Sequence, residues 1–498
     1  MLPIIDDEVK RFYSELNIEK PIVQNPFIHR LVVTSWKKKT EIFIGLIFLF
    51  PIRLLVGILF FMFAGTWCFF TTLGWNPPDL RTPLTPWRRW MKDFLPIIVR
   101  AILFAFGFHR IKIKGKLATP SEAPVTVIAP HSSFLDILLL CEYGKAPSGI
   151  SKMENINSPI LGGFFRCLEC IGVSRDITKS RQTAVKDLQY RTITTRGQWP
   201  HICIFPEGTC TNRKCLISFK PGAFIPGCPV QPVCLHFPDL YAWTWDGPGA
   251  LILALLLMCQ LNNEAEFEFL PVWNPTEEEK ENPKLYSEHV RNSMARCLNV
   301  PVTGHSFEDT LLMEAATKHG LPSEAGIIEF KVTATKLGVN LDTVKERLKM
   351  FAILDSDKDG SISLKDFALH YKLPTSTFLK ELFSVFDREN EGVISFREYL
   401  IGSVCLARVA AKKEVAGSAV KTLQEYSKPT HRTISSNQQE SILKSVLKSI
   451  DDTYADNHNV RSRNEEFQEF LSHHDELTVL LSSLLPPVEN GVRESRLI

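Results

Sequence analysis

From residue 42 to residue 73 the chain runs apolar with two interruptions, Pro51 and Arg53. As helix this stretch would measure about 48 Å at about 1.5 Å per residue, against a bilayer core of about 30 Å. The excess length, with a proline near one end, predicts one tilted helix or a helix–break–helix hairpin. Lys37, Lys38 and Lys39 precede the run; Arg81, Arg88, Arg89 and Lys92 follow it. If both flanks are cytoplasmic the segment re-enters, and a single crossing is the other expectation. Asp6, Asp7 and Glu8 give the chain an acidic start, unlike the basic opening of a cleaved signal peptide. Two weaker apolar pieces follow. Residues 94–108 suit an interface, with Arg100 reaching to head groups, and residues 250–259 are too short to span and suit core packing.

Between residues 109 and 300 the pattern alternates. Short β-rich runs at Ile111–Lys114, Val125–Ala129, His201–Phe205, Val230–His236 and Glu266–Leu270 are separated by loops or helical stretches such as Ile177–Thr195. This predicts an α/β layered domain with a largely parallel sheet flanked by helices, whose ligands collect at the strands' carboxyl ends. Past the acidic stretch Pro271–Pro283 come a helix-like run, a hinge at Val300–His305, and residues 307–350, which read as helical.

The predicted organisation is a cytosolic segment over 1–41, a membrane anchor over 42–74 and the α/β domain over 95–300. An all-α pair of calcium-binding hands over 305–410, a polar linker over 411–440, degenerate hand-like helices over 441–484 and a disordered tail over 485–498 follow.

Charge and cysteine content narrow the partners. Lys+Arg 57 against Asp+Glu 55 leaves +2, without the basic excess that nucleic-acid phosphates require. The twelve cysteines lack a disulfide framework, and Cys167-x-x-Cys170 has no second pair to complete a zinc set, so buried reduced thiols are expected.

The first predicted strand end carrying chemistry holds His131-Ser132-Ser133-Phe134-Leu135-Asp136. On one straight helix, five residues would set His131 and Asp136 about 140° apart. They meet only if His131 occupies the turn after the strand and Asp136 the first turn of the next helix. A carboxylate on one imidazole nitrogen fixes the tautomer and leaves the other nitrogen as general base. The competing reading needs no chemistry, because Ser133 and Asp136 also form a capping box. A second strand end carries Pro206-Glu207-Gly208-Thr209, then Thr211, Asn212, Arg213 and Lys214, with Lys220 beyond. A glycine turn dense with hydroxyls and cations suits a phosphate ester, and a solvated basic loop is its alternative. Between them, Ile171-Gly172-Val173-Ser174-Arg175 ends in a guanidinium able to clamp phosphate.

HSSFLD resembles the HxxxxD box of the glycerophospholipid acyltransferases, GVSR their second block, FPEGT with TNR their third, and Pro229–Leu235 their fourth. EGTCTNR and the following calcium-binding modules are similar to the lysophosphatidylcholine acyltransferase branch. The resemblance implies transfer of an acyl group from acyl-coenzyme A, the co-substrate, to the free hydroxyl of a lysophospholipid. It implies His131 as base, Asp136 as its orienting partner, and Arg175, Glu207, Gly208, Thr209, Arg213 and Lys220 around the acceptor's phosphate. Glu207 fits that list poorly, since a carboxylate repels phosphate; orienting an arginine or capping a backbone turn suits it better. Lysophosphatidylcholine is the expected acceptor. Acetyl transfer to an ether-linked acceptor, lysophosphatidic acid as acceptor, and an inactive membrane-tethered calcium-sensing adaptor are the alternatives. The expected setting is the endoplasmic reticulum membrane, or Golgi or lipid droplet, with the catalytic domain facing the cytosol.

Asp355–Asp366 fits a twelve-residue calcium loop, with oxygen ligands from Asp355, Asp357, Asp359, Ser361 and Asp366 and the turn at Gly360. Aspartate at the last position, where glutamate normally binds bidentately, predicts weaker calcium binding or relatively more magnesium. Thirty-two residues on, Asp387, Glu389, Glu391, Val393 and Glu398 repeat the frame around Gly392, with two acidic side chains longer than usual. The first loop is therefore the better calcium site. Ile362 and Ile394 occupy equivalent positions for a short β bridge between loops.

Overall fold

The computed structural model describes residues 25–75, 82–143, 146–159, 161–174, 178–237, 241–371 and 377–411. Chain contacts divide it into two compact units, one spanning Pro21–Phe307 and one beginning at Glu308. The degenerate hand over 441–484, the linker and the tail lie outside the described residues.

The first unit is built on a seven-stranded sheet: β1 (Arg110–Lys114), β2 (Val125–Ala129), β3 (Ser148–Lys152), β4 (Ile171–Val173), β5 (Ile202–Ile204), β6 (Val230–His236) and β7 (Glu264–Phe269). Spatial order is β1-β7-β6-β2-β5-β3-β4, parallel at every pairing except β6 against β7. The expected largely parallel α/β layering holds. β3 and β4 escaped the sequence reading because SGISK and IGV lack a run of bulky apolar residues. All five residues of β2 are buried, so its side chains serve two cores. Val125, Val127 and Ala129 face one core with helices Thr178–Gln189 and Pro283–Leu298. Ile128 faces the other, with helices Leu95–Ala105 and Asp136–Tyr143. That alternation follows from the two-residue period of a strand.

The long apolar run folds as helix Trp36–Phe48 followed by helix Phe50–Thr72, interrupted at Leu49 just before Pro51. The second helix is 23 residues long with mean hydropathy 2.1, sufficient by length and composition to cross a membrane. One side of it is packed: Ala64 and Cys68 are buried among residues of helix Leu95–Ala105, and Phe61 stacks on Phe164 at 5.5 Å. Its other side exposes Ile52, Leu55, Met62 and Phe63, each more than half accessible. Arg53, the run's single charge, has a specific role. Its guanidinium donates to the carbonyls of Met258 at 3.0 Å, Leu261 at 3.1 Å and Gln260, closing the end of helix Ala250–Cys259. That short helix is two-sided: Leu253 and Leu257 are buried, while Leu251 is 87% exposed. Beyond the anchor, Lys92 and Glu169 form a buried ion pair at 2.9 Å, and Glu169 also accepts from the Leu84 amide.

The strip at 300–305, expected as a hinge, is held by backbone pairing and is half-buried to buried, and the division between the units falls just beyond it. Leu216 donates to Pro301, Thr303 to Leu216 and Ser218 to His305, whose side chain is fully buried. The helical reading of 307–350 is resolved into separate elements. Three helices stand there, Phe307–Lys318, Phe330–Leu337 and Leu341–Leu354, separated at Gly320 and Gly338, whose positive φ angles of 79° and 65° end the first two. In the second unit, helices Leu341–Leu354, Leu364–Tyr371, Thr377–Phe386 and Phe396–Ala411 pack Phe351, Phe367, Phe386, Phe396 and Tyr399 into one core. Two short strands, β8 (Ser361–Ser363) and β9 (Val393–Ser395), pair antiparallel with Ile362 opposite Ile394.

Candidate active site and calcium loops

β2 and β5 are parallel neighbours, so the loops leaving their carboxyl ends emerge side by side. The loop after β2 carries His131; Asp136 opens the helix that follows. His131 Nδ1 lies 2.7 Å from Asp136 Oδ2. The same oxygen accepts from the backbone amides of Ser132 at 2.9 Å and Ser133 at 3.0 Å. Capping and imidazole orientation are therefore one arrangement, with a single carboxylate oxygen serving both. Asp136 is fully buried, whereas the His131 side chain retains 19% exposure and stacks on Phe205 at 4.2 Å. Burial lowers the imidazole's affinity for a proton, but the Asp136 carboxylate and the Cys210 sulfur beside the ring outweigh it and raise the pKa to about 10.

The turn after β5 locks onto this loop. Glu207, fully buried, accepts from the His131 amide at 2.7 Å, and the Thr211 amide donates to the His131 carbonyl at 2.8 Å. Burial pushes the Glu207 carboxyl up to about 7, against the lowering influence of the His131 amide and ring. Its carboxylate thus meets backbone of the histidine loop. Gly208 has φ +69°, and a side chain there would meet the Lys220 methylenes at about 3.0 Å. Thr209 is half-buried, and Lys220 is exposed with its ammonium 4.0 Å from the centre of the Phe307 ring. Arg213 has φ 67°, and its guanidinium lies 5.6 Å from the Phe237 ring. Burial lowers its pKa while the Asp136 carboxylate acts the other way. The loops thus bring His131, Asp136, Glu207, Gly208 and Arg213 together; Arg175 lies outside the described residues.

Three contacts were not legible in the motifs. Cys210 stands beside the imidazole, Trp243 donates its amide to the Ser132 carbonyl at 2.8 Å, and Trp243 meets Phe134 edge-on at 6.0 Å. A further strap comes from before the anchor. Asn212 donates to Asn25 and Ile28 carbonyls at 3.0 and 2.9 Å, while Asp246 exchanges backbone bonds with Phe27 and His29.

In the second unit the two twelve-residue loops share one backbone scaffold. Asp355 accepts from the amides of Lys358 at 2.7 Å and Gly360 at 2.9 Å; Asp387 accepts from Glu391 and Gly392, both at 3.0 Å. Gly360 and Gly392 have φ 96° and 77°. Asp355, Asp357 and Asp359 place one carboxylate oxygen each within 4.8 Å of one another. Burial raises the Asp355 pKa, which a bound cation would reverse. Asp366 is held by Ser356 and Ser363, whereas the longer Glu398 accepts from the Glu389 and Ser395 amides at 3.2 and 2.9 Å. Ser361 shares Asp359 Oδ1 through both its amide and its hydroxyl, each at 2.8 Å.

Comparison with known proteins agrees with these two units. An acyltransferase family model matches residues 110–236, and an EF-hand domain pair model matches residues 368–401. The mouse protein named lysophosphatidylcholine acyltransferase 2 is 42% identical over 408 residues, covering 80% of this chain and 74% of its own. The rat protein named lysophosphatidylcholine acyltransferase 1 is 40% identical over 433 residues, covering 86% and 79%. Among solved structures, the 1-acyl-sn-glycerophosphate acyltransferase PlsC from Thermotoga maritima aligns at TM-score 0.35 and 17% identity, over 53% of this chain and 96% of that one. With identity sustained across the acyltransferase region and onward to the EF-hands, the chain belongs to the lysophosphatidylcholine acyltransferase family.

Proposed function

We propose that the protein transfers an acyl group from acyl-coenzyme A to the free hydroxyl of a lysophospholipid at a membrane surface, with lysophosphatidylcholine as acceptor. The observation that carries this reading is the 2.7 Å contact between His131 and Asp136, held by two backbone amides at the end of a buried strand. An alcohol is a weak nucleophile at neutral pH, so a positioned base is needed. The neutral imidazole takes the hydroxyl proton as the oxygen attacks the thioester carbonyl. Collapse of the tetrahedral intermediate breaks the carbon–sulfur bond, and the imidazolium returns its proton to the departing thiolate. Asp136 holds the ring's tautomer and stabilises the imidazolium.

Glu207 positions the His131 loop through its amide. Gly208 and Thr209 line the same turn, and Arg213 and Lys220 supply positive charge for the acceptor's phosphate, with Arg175 joining them by the resemblance of its motif. The half-exposed apolar helices Phe50–Thr72 and Ala250–Cys259 give the unit a lipid-facing surface for both acyl chains. Acyl-coenzyme A is cytosolic, which favours a catalytic unit facing the cytosol from the endoplasmic reticulum, Golgi or lipid-droplet surface. Calcium binds the Asp355 loop in preference to the Asp387 loop, whose Glu389 and Glu391 are longer than the usual ligands.

The test is a panel of lysophospholipids and acyl donors with the purified full-length protein in detergent, beside His131→Ala. Phosphocholine acceptors should be acylated fastest, and the variant should lose about 10²–10⁴-fold in rate. Acyl transfer that survives the substitution unchanged would exclude His131 as the base.

A further inference from the structure

Away from the His131 loop, one patch of side chains gathers three chemically different metal donors. His236 ends β6, Glu268 lies on β7, and Cys297 stands near the end of helix Pro283–Leu298. One nitrogen, one carboxylate oxygen and one sulfur from these residues all lie within 4.8 Å of one another. The strand register explains the convergence without reference to any rotamer. Cys234 pairs directly with Glu268 across the antiparallel ladder, so their side chains share a face. His236, two residues beyond Cys234, returns to that face, and the helix carrying Cys297 packs over it.

We propose that His236, Glu268 and Cys297 bind a divalent transition metal, zinc, which staples the β6–β7 ladder to helix Pro283–Leu298. Imidazole, carboxylate and thiolate are the ligand types zinc accepts. Around a tetrahedral ion, with bonds of about 2.0–2.3 Å, such atoms stand roughly 3.3–3.8 Å apart. His236 Nε2 and Glu268 Oε2 are already 3.3 Å apart. With all three donor atoms within 4.8 Å, the sulfur needs to move by at most about an ångström to reach that spacing.

The charges also match. A neutral imidazole, one carboxylate and one thiolate balance a dication. The nearest competing cation, Lys114, is engaged by Glu266 at 2.7 Å, which leaves Glu268 turned to His236. His236 and Glu268 each keep 30% side-chain exposure, while the His236 Nε2 atom itself is buried. Cys234, fully buried beside Cys297, backs the site with a second sulfur.

Cobalt titration of the purified full-length protein tests this, with calcium present in excess to fill the EF-hand loops. Tetrahedral cobalt with a thiolate ligand gives visible absorption and a sulfur charge-transfer band, and zinc should bleach both. One equivalent per chain is expected, lost in Cys297→Ser and in Glu268→Gln, with Glu268→Gln serving if the serine variant fails to fold. Zinc should raise the melting temperature of the wild type and leave these variants unmoved. Absence of a thiolate band, or a band surviving in both variants, would overturn the proposal. None of these readouts depends on acyl transfer.

Discussion

Asp136→Asn separates the orienting role of this carboxylate from its capping role. Oδ2 of Asp136 makes three contacts, 2.7 Å to His131 Nδ1 and 2.9 and 3.0 Å to the amides of Ser132 and Ser133. An asparagine carbonyl can still accept from the two amides, so the loop keeps its shape. What is lost is the negative charge beside the ring. In the wild type that charge helps hold the imidazole pKa near 10, above its ordinary 6.5. The reactive species is the neutral ring, so kcat/KM should climb with pH from 7 toward 10. Removing the carboxylate moves the climb toward 6.5, because burial and the lost attraction then act in the same direction. The neutral fraction at pH 7 rises, yet the imidazolium formed in the transition state loses its partner. The net effect should be a fall of about 10²–10⁴-fold at the alkaline plateau, mostly in kcat. The assay is initial-rate acylation in detergent from pH 6 to 10 with both proteins. A limb at the same pH in both, with unaltered plateau, would refute the claim that Asp136 sets the base.

Glu207→Gln should preserve most activity, since an amide oxygen can accept the His131 N–H, whereas Glu207→Ala leaves a buried donor unmatched at about 1–3 kcal/mol. Because burial raises the Glu207 pKa to about 7, its charge costs stability as pH rises from its ordinary 4.5 toward that value. Glu207→Gln should therefore melt no lower than wild type at pH 8, checked by thermal scans. In the first calcium loop, Asp366→Glu restores the longer terminal carboxylate and should tighten calcium binding by calorimetry, while Asp355→Asn weakens it. Lys92→Met strands the Glu169 carboxylate, 1% exposed, and should destabilise by about 3–5 kcal/mol, with Lys92→Met/Glu169→Gln recovering much of it. Burial raises the Glu169 pKa, but Lys92 more than offsets this and holds it below 4.5, so the pair's contribution is present at neutral pH and lost on acidification. In the double variant that acid loss should vanish.

Strand ends and turn residues made much of the catalytic region legible from the chain alone. Val125–Ala129 is a continuous apolar β run closed by Pro130, so both the strand and the position of the histidine turn follow from local pattern. The calcium loops are local too: ligands and glycine fall within twelve consecutive residues, and the Ile362–Ile394 bridge follows from their spacing. Gly320 and Gly338 divide the stretch that reads as helical, and the pattern alone did not mark where each helix ends. β3 and β4 are short and only partly buried, so their pairing within the sheet, not hydrophobicity, makes them strands.

The tertiary structure alone decided which distant groups share a neighbourhood. Arg53 reads as a blemish in an apolar run until helix Ala250–Cys259 presents its terminal carbonyls to it. Glu207 reads as an ill-placed anion until parallel pairing of β2 and β5 sets it under the His131 amide. His236, Glu268 and Cys297 fit no spacing rule, since their proximity comes from strand register and from a helix laid across it. Sequence determines what nearest neighbours along the chain enforce, through period, turn chemistry and loop length. Contacts across 30 or 200 residues depend on which faces bury together, and that is fixed only when the sheet and its helices close.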